Sequence, residues 1–196
     1  YPLSPEKIHL GPPHQSNYAY AYAKRMGQVQ IQAYKDQHDL NYFTVIPTNI
    51  YGPNDYYNLE NGHVLPSLIH KMYLAKENGD DFMVWGSGNP LREFIFSEDV
   101  AKLTMNLYND YTGNSPVILS TSNEMSIRDV VHMVAEIFDF KGNIKFDLNK
   151  PEGQYRKPSD NSVISQMYPD FKFTPMREGL EKSINWFIEN YNNARK

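Results

Sequence analysis

Residues 42–47 read Tyr-Phe-Thr-Val-Ile-Pro, a short apolar run of aromatic and β-branched residues that stops at Pro47. Such a run is typical of a strand buried on both faces, as in a parallel sheet. The segment before it, from Asn17 to about Asp39, contains no proline and is rich in helix-forming residues, which predicts a helix. A helix followed by a buried strand is the unit from which α/β folds are built.

The same alternation continues towards the C-terminus. We predict strands at three short apolar or β-branched runs, residues 82–85, 117–119 and 144–147. Helices are predicted for 66–76, 99–111, the segment from the capping-box Ser126 to Phe138, and the segment that starts at Thr174-Pro175. Residues 48–55, rich in Gly, Pro, Asn and Asp, are predicted to be loop. The pattern indicates an α/β fold with a mainly parallel sheet.

The composition excludes several classes of protein. A chain of 196 residues with 40% hydrophobic and 21% charged residues can bury a core, unlike a disordered chain. Its net charge of -4 argues against a nucleic-acid-binding surface, which would need concentrated basic residues. Because the chain has no cysteine, it contains no disulfide, no thiolate metal site and no cysteine nucleophile of its own.

Neither a membrane segment nor a metal site is indicated. No apolar run approaches the roughly 18 residues of a membrane span, and the first residues do not have the form of a signal peptide. We therefore expect a cytoplasmic protein that contacts no membrane. Five histidines have no ligand-like spacing with acids or with one another, so we predict no metal site; they are His9, His14, His38, His70 and His132.

Tyr20 and Lys24 are the first candidate catalytic pair. They lie four residues apart in the first predicted helix, so their side chains share one face. An ammonium group beside a phenol favours the ionised phenol and makes it usable as a proton donor or acceptor near neutral pH. The reduction of a ketone needs such a donor beside the carbonyl oxygen.

Three motifs resemble those of the extended short-chain dehydrogenases/reductases. Residues 16–26, which contain Tyr20 and Lys24, are similar to the active-site helix, and residues 46–53 (Ile-Pro-Thr-Asn-Ile-Tyr-Gly-Pro) to the segment that passes the nicotinamide. Residues 92–101 are similar to the late Arg-x-Phe and Val-x-Asp-x-Ala motif, with Phe-Ser where Val is often found. The chain has no strand-GxGxxG-helix unit, since Gly86-Ser87-Gly88 is followed by Pro90 instead of a third glycine and a helix.

Further blocks resemble the GDP-L-fucose synthase family within that superfamily: residues 11–14 (Gly-Pro-Pro-His), 62–66 (Gly-His-Val-Leu-Pro) and 84–92. The resemblance spans the whole chain but only about the C-terminal three-fifths of the family's length. It implies that the family's Gly-rich phosphate loop, catalytic Ser and catalytic Cys lie before Tyr1, where the chain starts as if in mid-loop. We therefore expect the isolated 196 residues to be inactive and not to bind NADPH.

The resemblance implies a reaction and catalytic roles. The family epimerises C3 and C5 of GDP-4-keto-6-deoxy-D-mannose and reduces C4 with NADPH. His63 is implied as one half of the acid/base pair, since imidazole can give and take protons near neutral pH. Tyr20 is implied to protonate the C4 oxygen, and Lys24 to tune Tyr20 and to bind the nicotinamide ribose.

The resemblance also implies the residues that bind ligands. Tyr20, Lys24 and His63 are expected at the NADP site, together with the strand-end residues Pro47, Thr48, Asn49 and Ile50. Asn49 is also expected to reach the sugar. The GDP-sugar is expected to contact Lys71, Trp85, Arg92, Glu152 and Lys157; Glu152 stands where the family usually has Asp. The sequence leaves the choice between NADPH and NADH open.

The implied architecture is the end of a Rossmann-type domain plus a smaller α/β substrate-binding domain. We expect residues 1–53 and 83–120 in the NADP-binding domain, 54–82 and 121–174 in the substrate-binding domain, and 175–196 as the C-terminal helix. The superfamily dimerises through the helix that resembles the Tyr20–Lys24 region, so a homodimer is expected.

Two alternatives stay open. Another extended reductase, epimerase or dehydratase of nucleotide sugars would keep Tyr20 and Lys24 but would have no reason for His63 in its Gly-His-Val-Leu-Pro block. A catalytically silent nucleotide-binding scaffold of the same fold would not need Tyr20, Lys24 or His63 for its function.

Overall fold

The computed structural model describes residues 1–150 and 152–196. Pro151 lies outside the described residues. The helices are α1 (Tyr18–His38), α2 (Val64–Asn78), α3 (Ser97–Asp110), α4 (Ile127–Ile137), α5 (Ser162–Met167) and α6 (Met176–Glu189). The strands are β1 (Val45–Pro47), β2 (Asn49–Tyr51), β3 (Phe82–Trp85), β4 (Leu91–Phe96), β5 (Val117–Leu119), β6 (Glu124–Ser126) and β7 (Ile144–Asp147).

Parallel pairing dominates the strands. β1 pairs with β5, with Val45 opposite Val117, and β3 pairs with β7, with Phe82 opposite Ile144. β2 also runs parallel to β4, whereas β6 runs antiparallel to it. The predicted α/β fold with mainly parallel strands is confirmed, although the described strands form two pairs and one three-stranded sheet.

Two hydrophobic cores lie on opposite faces of β4. Phe94 and Phe96 point into the first core and Ile95 into the second, as the alternation of side chains along a strand requires. The first core contains apolar residues of α2, β3, α4 and α6. The second contains residues of α3, β5 and α5. β4 is therefore the element that both cores share.

Side chains fix the ends of two predicted helices. The Ser126 hydroxyl accepts a hydrogen bond from the Asp129 backbone N–H at 3.0 Å, so the predicted cap at the start of α4 is present; the hydroxyl in turn donates to Asp129 Oδ2 at 2.6 Å. At the start of α3, the buried Asp99 carboxylate accepts bonds from the Thr174 N–H at 2.7 Å and its hydroxyl at 2.9 Å. Asp99 therefore ties α3 to the segment that leads into α6.

Several local predictions are wrong. β1 was expected to be buried on both faces, but its residues are only half-buried, and within the described chain it pairs with β5 alone. The predicted loop 48–55 contains β2, which forms because Tyr51 packs against Phe94 and Phe96, with ring centroids 6.4 and 5.5 Å apart. β4, β6 and α5 were not predicted as elements, since tertiary pairing and packing rather than local pattern define them.

The search for membrane-spanning segments covered the described residues. None of the helices among them combines the length and the apolar character that crossing a bilayer requires.

Candidate functional site

α1 presents Tyr20 and Lys24 on its surface. Tyr20 is 60% exposed, and the Lys24 ammonium lies 5.5 Å from the centre of its ring, so the predicted pairing on one helix face is present. Among the described residues α1 buries none of its side chains. The helix is held instead at its ends, where the Arg25 guanidinium donates to Gly11 O at 2.6 Å and the Lys35 ammonium donates to Gly113 O at 2.7 Å.

The segment from Pro47 to Ile50 leads from β1 into β2. The Thr48 N–H donates to Leu119 O at 3.0 Å, which keeps this segment beside the C-terminal end of β5. The Asn49 side-chain amide donates to Glu93 O at 2.7 Å, and Asn49 and Ile50 are both exposed. In α/β folds, ligands bind outside the carboxyl ends of parallel strands, where this segment lies.

His63 directly precedes α2 and is exposed. Its backbone is extended (φ -63°, ψ 164°) in the capping position, yet within the described chain its imidazole makes no capping hydrogen bond. A structural role as a helix cap therefore does not account for this histidine. The imidazole is open to solvent, as a proton-transfer group that meets a substrate must be.

Trp85 lies between two lysines. The Lys71 ammonium is 4.1 Å and the Lys150 ammonium 5.3 Å from the centre of the indole, both within the range of cation–π attraction. Burial, and secondarily the charge of Lys150, lower the pKa of Lys71. Lys150 was not among the predicted site residues; its position two residues before Glu152 is the signal in the sequence that points to it. The half-exposed Trp85 and its two cations form a surface suited to a base and a phosphate.

Trp85, Arg92 and Glu152 line one cavity of about 240 Å³. Its remaining walls are Val64, Gly88, Pro90 and Ile127. Val64 follows His63 directly, so the cavity begins beside the start of α2. The structure therefore brings together the predicted substrate residues Trp85, Arg92 and Glu152, whereas Lys157 is exposed and does not line this cavity.

The turn after β3 positions Glu152. The Glu152 carboxylate accepts a hydrogen bond from the Ser87 N–H, and this bonding to Ser87 lowers the pKa of Glu152. Gly86 has φ +76°, a backbone conformation that favours glycine, and a Cβ there would come within 2.8 Å of Glu152 Cγ, so a larger residue would displace the Glu152 side chain. The turn leads into β4, so Gly86-Ser87-Gly88 is not followed by the helix that a dinucleotide-binding motif requires.

Arg92 is half-buried on β4 beside this turn. Burial lowers the pKa of its guanidinium, and no carboxylate in the described part of the chain forms an ion pair with it. One nitrogen donates to Leu91 O at 2.6 Å. A cavity-lining guanidinium with no anionic partner is suited to bind an anionic ligand.

The candidate residues form two groups. Tyr20, Lys24 and the 47–50 segment make up the first; His63, Lys71, Trp85, Arg92 and Glu152 make up the second. The Asn49 bond to the backbone of Glu93, the neighbour of Arg92 on β4, links the two groups. Within residues 1–150 and 152–196, no hydrogen bond, ion pair or ring contact joins Tyr20 or Lys24 directly to His63. The same residues contain no group of three or more His, Asp or Glu side chains placed to hold a metal ion.

The chain is similar in sequence to known proteins. The chain is 48% identical over 198 residues to the GDP-L-fucose synthase of Dictyostelium discoideum, and 42% identical to a probable GDP-L-fucose synthase of Drosophila melanogaster. Each alignment covers 100% of this chain but only 62% and 64% of those relatives. The chain thus spans less than two thirds of their length.

A solved structure shows the same fold. The crystal structure of a GDP-L-fucose synthetase from Naegleria fowleri bound to NADP superimposes with a TM-score of 0.97 at 43% sequence identity. That superposition covers 100% of this chain and 63% of the other. Residues 2–118 match the NAD dependent epimerase/dehydratase family, which is more than half of the sequence. By that match, the chain belongs to the NAD dependent epimerase/dehydratase family.

Proposed function

We propose that this chain carries the proton-transfer and GDP-sugar-binding residues of an NADPH-dependent epimerase/reductase that converts GDP-4-keto-6-deoxy-D-mannose to GDP-L-fucose. The observation that carries the proposal is the cavity that Trp85, Arg92 and Glu152 line together with Val64, the residue after His63. Lys71 does not line this cavity but contacts its Trp85 wall at 4.1 Å. The names of the similar proteins support the same substrate and reaction.

The cavity suits a nucleoside diphosphate. Arg92 offers a fork of N–H donors for phosphate oxygens, and the Lys71 ammonium lies beside the indole on which a flat base can stack. Glu152, held by Ser87, offers a carboxylate to ribose hydroxyls. We propose Lys157 as a further cation that approaches the ligand from outside the cavity.

The residues at the end of β1 fit the nicotinamide end of NADP. A ribose and a carboxamide need several hydrogen-bond donors and acceptors. The groups available there are the Tyr20 phenol, the Lys24 ammonium, the Asn49 side chain and the backbone of residues 47–50. We propose that these residues, with His63 near them, hold that end of the cofactor. Bound NADPH supplies the hydride that reduces C4.

The acid/base chemistry follows from the 4-keto group. The carbonyl acidifies the protons on C3 and C5, so a base can remove each proton and an acid can return one to the opposite face. We propose His63 as one member of this pair, because it is exposed, directly precedes the cavity-lining Val64, and carries an imidazole that can act in both directions near neutral pH. Tyr20 donates the proton that the C4 oxygen takes up on reduction, and Lys24 stabilises the phenolate that remains.

The whole protein that contains this chain provides the test. Incubation with GDP-4-keto-6-deoxy-D-mannose and NADPH should consume NADPH and yield GDP-L-fucose. In deuterated water, the product should carry deuterium at C3 and C5. Consumption of NADPH without deuterium at these carbons would instead indicate a reductase without epimerase activity, and no consumption at all would contradict the proposal.

We also propose the organisation predicted from the resemblance: an NADP-binding domain formed by 1–53 and 83–120, a substrate-binding domain formed by 54–82 and 121–174, and a C-terminal helix. The separation of the two cores by β4 supports a division of this kind. The residues of the two cores do not follow the proposed domain bounds everywhere. Val84, within 83–120, belongs to the first core, and Ile164, within 121–174, belongs to the second.

We further propose a cytoplasmic homodimer that associates through α1. The exposed apolar and aromatic side chains of α1, among them Tyr18, Tyr22 and Met26, support an interface there. Sedimentation of the whole protein and of its Met26→Glu variant tests the dimer, and imaging of a tagged protein tests the location. A wild-type protein that sediments as a monomer would contradict the proposed dimer.

A further inference from the structure

Residues 152–159 (the 152–159 segment) run across the side of β4. A Cβ added to Gly153 would lie 3.7 Å from Arg92 Nη2, so the backbone of the segment passes beside that guanidinium. Further along, the Leu91 N–H of β4 donates to Tyr155 O at 2.8 Å. The segment that carries two of the proposed GDP-sugar ligands is therefore attached to the strand that carries the cavity-lining Arg92.

Arg156 attaches this segment to β6. Its Nε donates to Glu124 Oε2 at 2.6 Å, and its Nη2 forms an ion pair with the same oxygen. The Glu124 side chain is only 13% exposed, and its other oxygen, Oε1, is buried without a hydrogen-bond partner among the described residues. Because a buried carboxylate that loses its cation is costly, Glu124 has a strong reason to keep Arg156 in place.

A second carboxylate lies opposite Glu124. Glu93 is its partner in the antiparallel pairing of β4 with β6, and like charges at such positions repel each other. Glu93 is 3% exposed, and its carboxylate accepts bonds from the Ser120 hydroxyl at 2.9 Å and the Ser159 N–H at 3.2 Å. The 152–159 segment thus supplies a donor to each carboxylate, and its displacement would remove both donors at once.

We propose that Arg156 is a positioning residue for GDP binding, because its ion pair with Glu124 keeps the 152–159 segment against the sheet before the ligand arrives. The inference rests on the proposed function, in which Glu152 and Lys157 on this segment bind the GDP-sugar. Arg156 acts through the segment and does not contact the ligand. A segment that is already in place lowers the cost of ordering on binding, so the apparent affinity depends on the fraction of molecules in which it is in place.

Titration calorimetry of the whole protein with GDP tests the ion pair. Arg156→Met should weaken GDP binding roughly 5- to 20-fold, and Arg156→Lys should restore most of the affinity because it keeps a cationic donor. The matched control is Arg177→Met, which removes an exposed ion pair with Glu136 and should stay within about twofold of the wild type. Equal affinity in Arg156→Met and the control would overturn the inference.

Turnover gives a separate readout. In Arg156→Met, the KM for the GDP-sugar should rise by about the same factor as the Kd for GDP, while the maximal rate of deuterium incorporation at C3 and C5 should change less than about twofold. The reason is that His63 and Tyr20 are unchanged. A variant in which the maximal rate falls and KM does not change would overturn the inference.

A substitution of Glu124 distinguishes positioning from a direct contact of Arg156 with phosphate. If Arg156 acts through the segment, Glu124→Met should weaken GDP binding to a similar extent, and the double variant Arg156→Met/Glu124→Met should be no weaker than either single variant. A Glu124→Met variant that binds GDP as tightly as the wild type, or more tightly, would overturn the inference, because the guanidinium would then serve the ligand directly.

Hydrogen exchange in the ligand-free protein does not depend on the proposed function. The Leu91 and Ser159 N–H groups should exchange several-fold faster in Arg156→Met than in the wild type, and at the wild-type rate in Arg177→Met. Unchanged exchange in Arg156→Met would overturn the inference. A wild type that shows this exchange pattern but does not bind GDP would overturn the proposed function and leave the attachment of the segment by Arg156 standing.

Discussion

At the scale of single residues, a substitution of Tyr20 should impair the reduction step and leave the epimerisation step intact. In Tyr20→Phe, the C4 oxygen loses its proton donor, so the rate of NADPH oxidation should fall roughly 10²- to 10⁴-fold. Deuterium exchange at C3 and C5 should continue, since His63 is unchanged. The matched control is Tyr22→Phe, one exposed tyrosine further along α1. Equal losses in both variants would show that the effect comes from α1 as a whole.

Protonation of Lys71 should make the affinity for GDP depend on pH. Because burial, and secondarily the charge of Lys150, lowers the pKa of Lys71, its ammonium loses its proton at a lower pH than an ordinary lysine. Its contribution to GDP binding should therefore be lost as the pH rises, and at a lower pH than for an ordinary lysine. Lys71→Met should weaken GDP binding about tenfold at neutral pH, which corresponds to the loss of roughly one charge-assisted contact. The GDP affinity of this variant should also fall less than that of the wild type as the pH rises. Calorimetry from pH 7 to 10 measures the GDP affinity and its change with pH, with the surface variant Lys102→Met as control.

The chemistry-bearing residues were predictable to different degrees. Tyr20, Lys24 and His63 stand in recognisable local blocks, and their exposure in the structure agrees with the predicted roles without testing them. Lys150 carries no such pattern. It gains its neighbour only when distant segments of the chain meet, as it does at Trp85. Spacing in a sequence carries little information on contacts of this kind.

At the scale of elements, capping and amphipathic periodicity predicted helices well, while short strands were harder. α4 has both the Ser126 cap and a buried apolar face, so local and tertiary preferences agree. β2 is the opposite case, since its Asn, Gly and Pro neighbours favour a loop and only pairing with β4 and the packing of Tyr51 make it extended. β4 is a similar case, since the charged Arg92 and Glu93 interrupt its apolar residues and its pairing with β2 and β6 makes it a strand.

The Ser126 cap gives a prediction for α4. Ser126→Ala removes the acceptor for the Asp129 N–H, so the free energy of unfolding should fall by about 1 kcal/mol. Urea denaturation followed by circular dichroism measures the change. Ser115→Ala, at an exposed loop position, is the control and should stay within about 0.5 kcal/mol of the wild type. A loss of similar size in both variants would exclude the cap as the cause.

At the scale of the whole molecule, buried phenols make stability depend on alkaline pH in both cores. Burial raises the pKa of Tyr51 and Tyr57 in the first core far above the usual value. At the second core, burial and the bond to Asp110 raise the pKa of Tyr168 to about 12. In the unfolded chain these phenols ionise near ~10, so between that pH and the raised values the folded state holds more protons. The free energy of unfolding must therefore fall as pH rises above about 10.

The slope of that decline should be about 1.4 kcal/mol per pH unit for each phenol that stays protonated in the folded state. Urea denaturation at a series of pH values from 8 to 11 measures it. Tyr57→Phe removes one such group, so its stability should start lower at pH 8, because the bond to Gly52 O is lost, and then decline less steeply. Tyr155→Phe, at a 65% exposed position, should keep the wild-type slope. If Tyr57→Phe declined as steeply as Tyr155→Phe, ionisation of the core phenols would not be what limits alkaline stability.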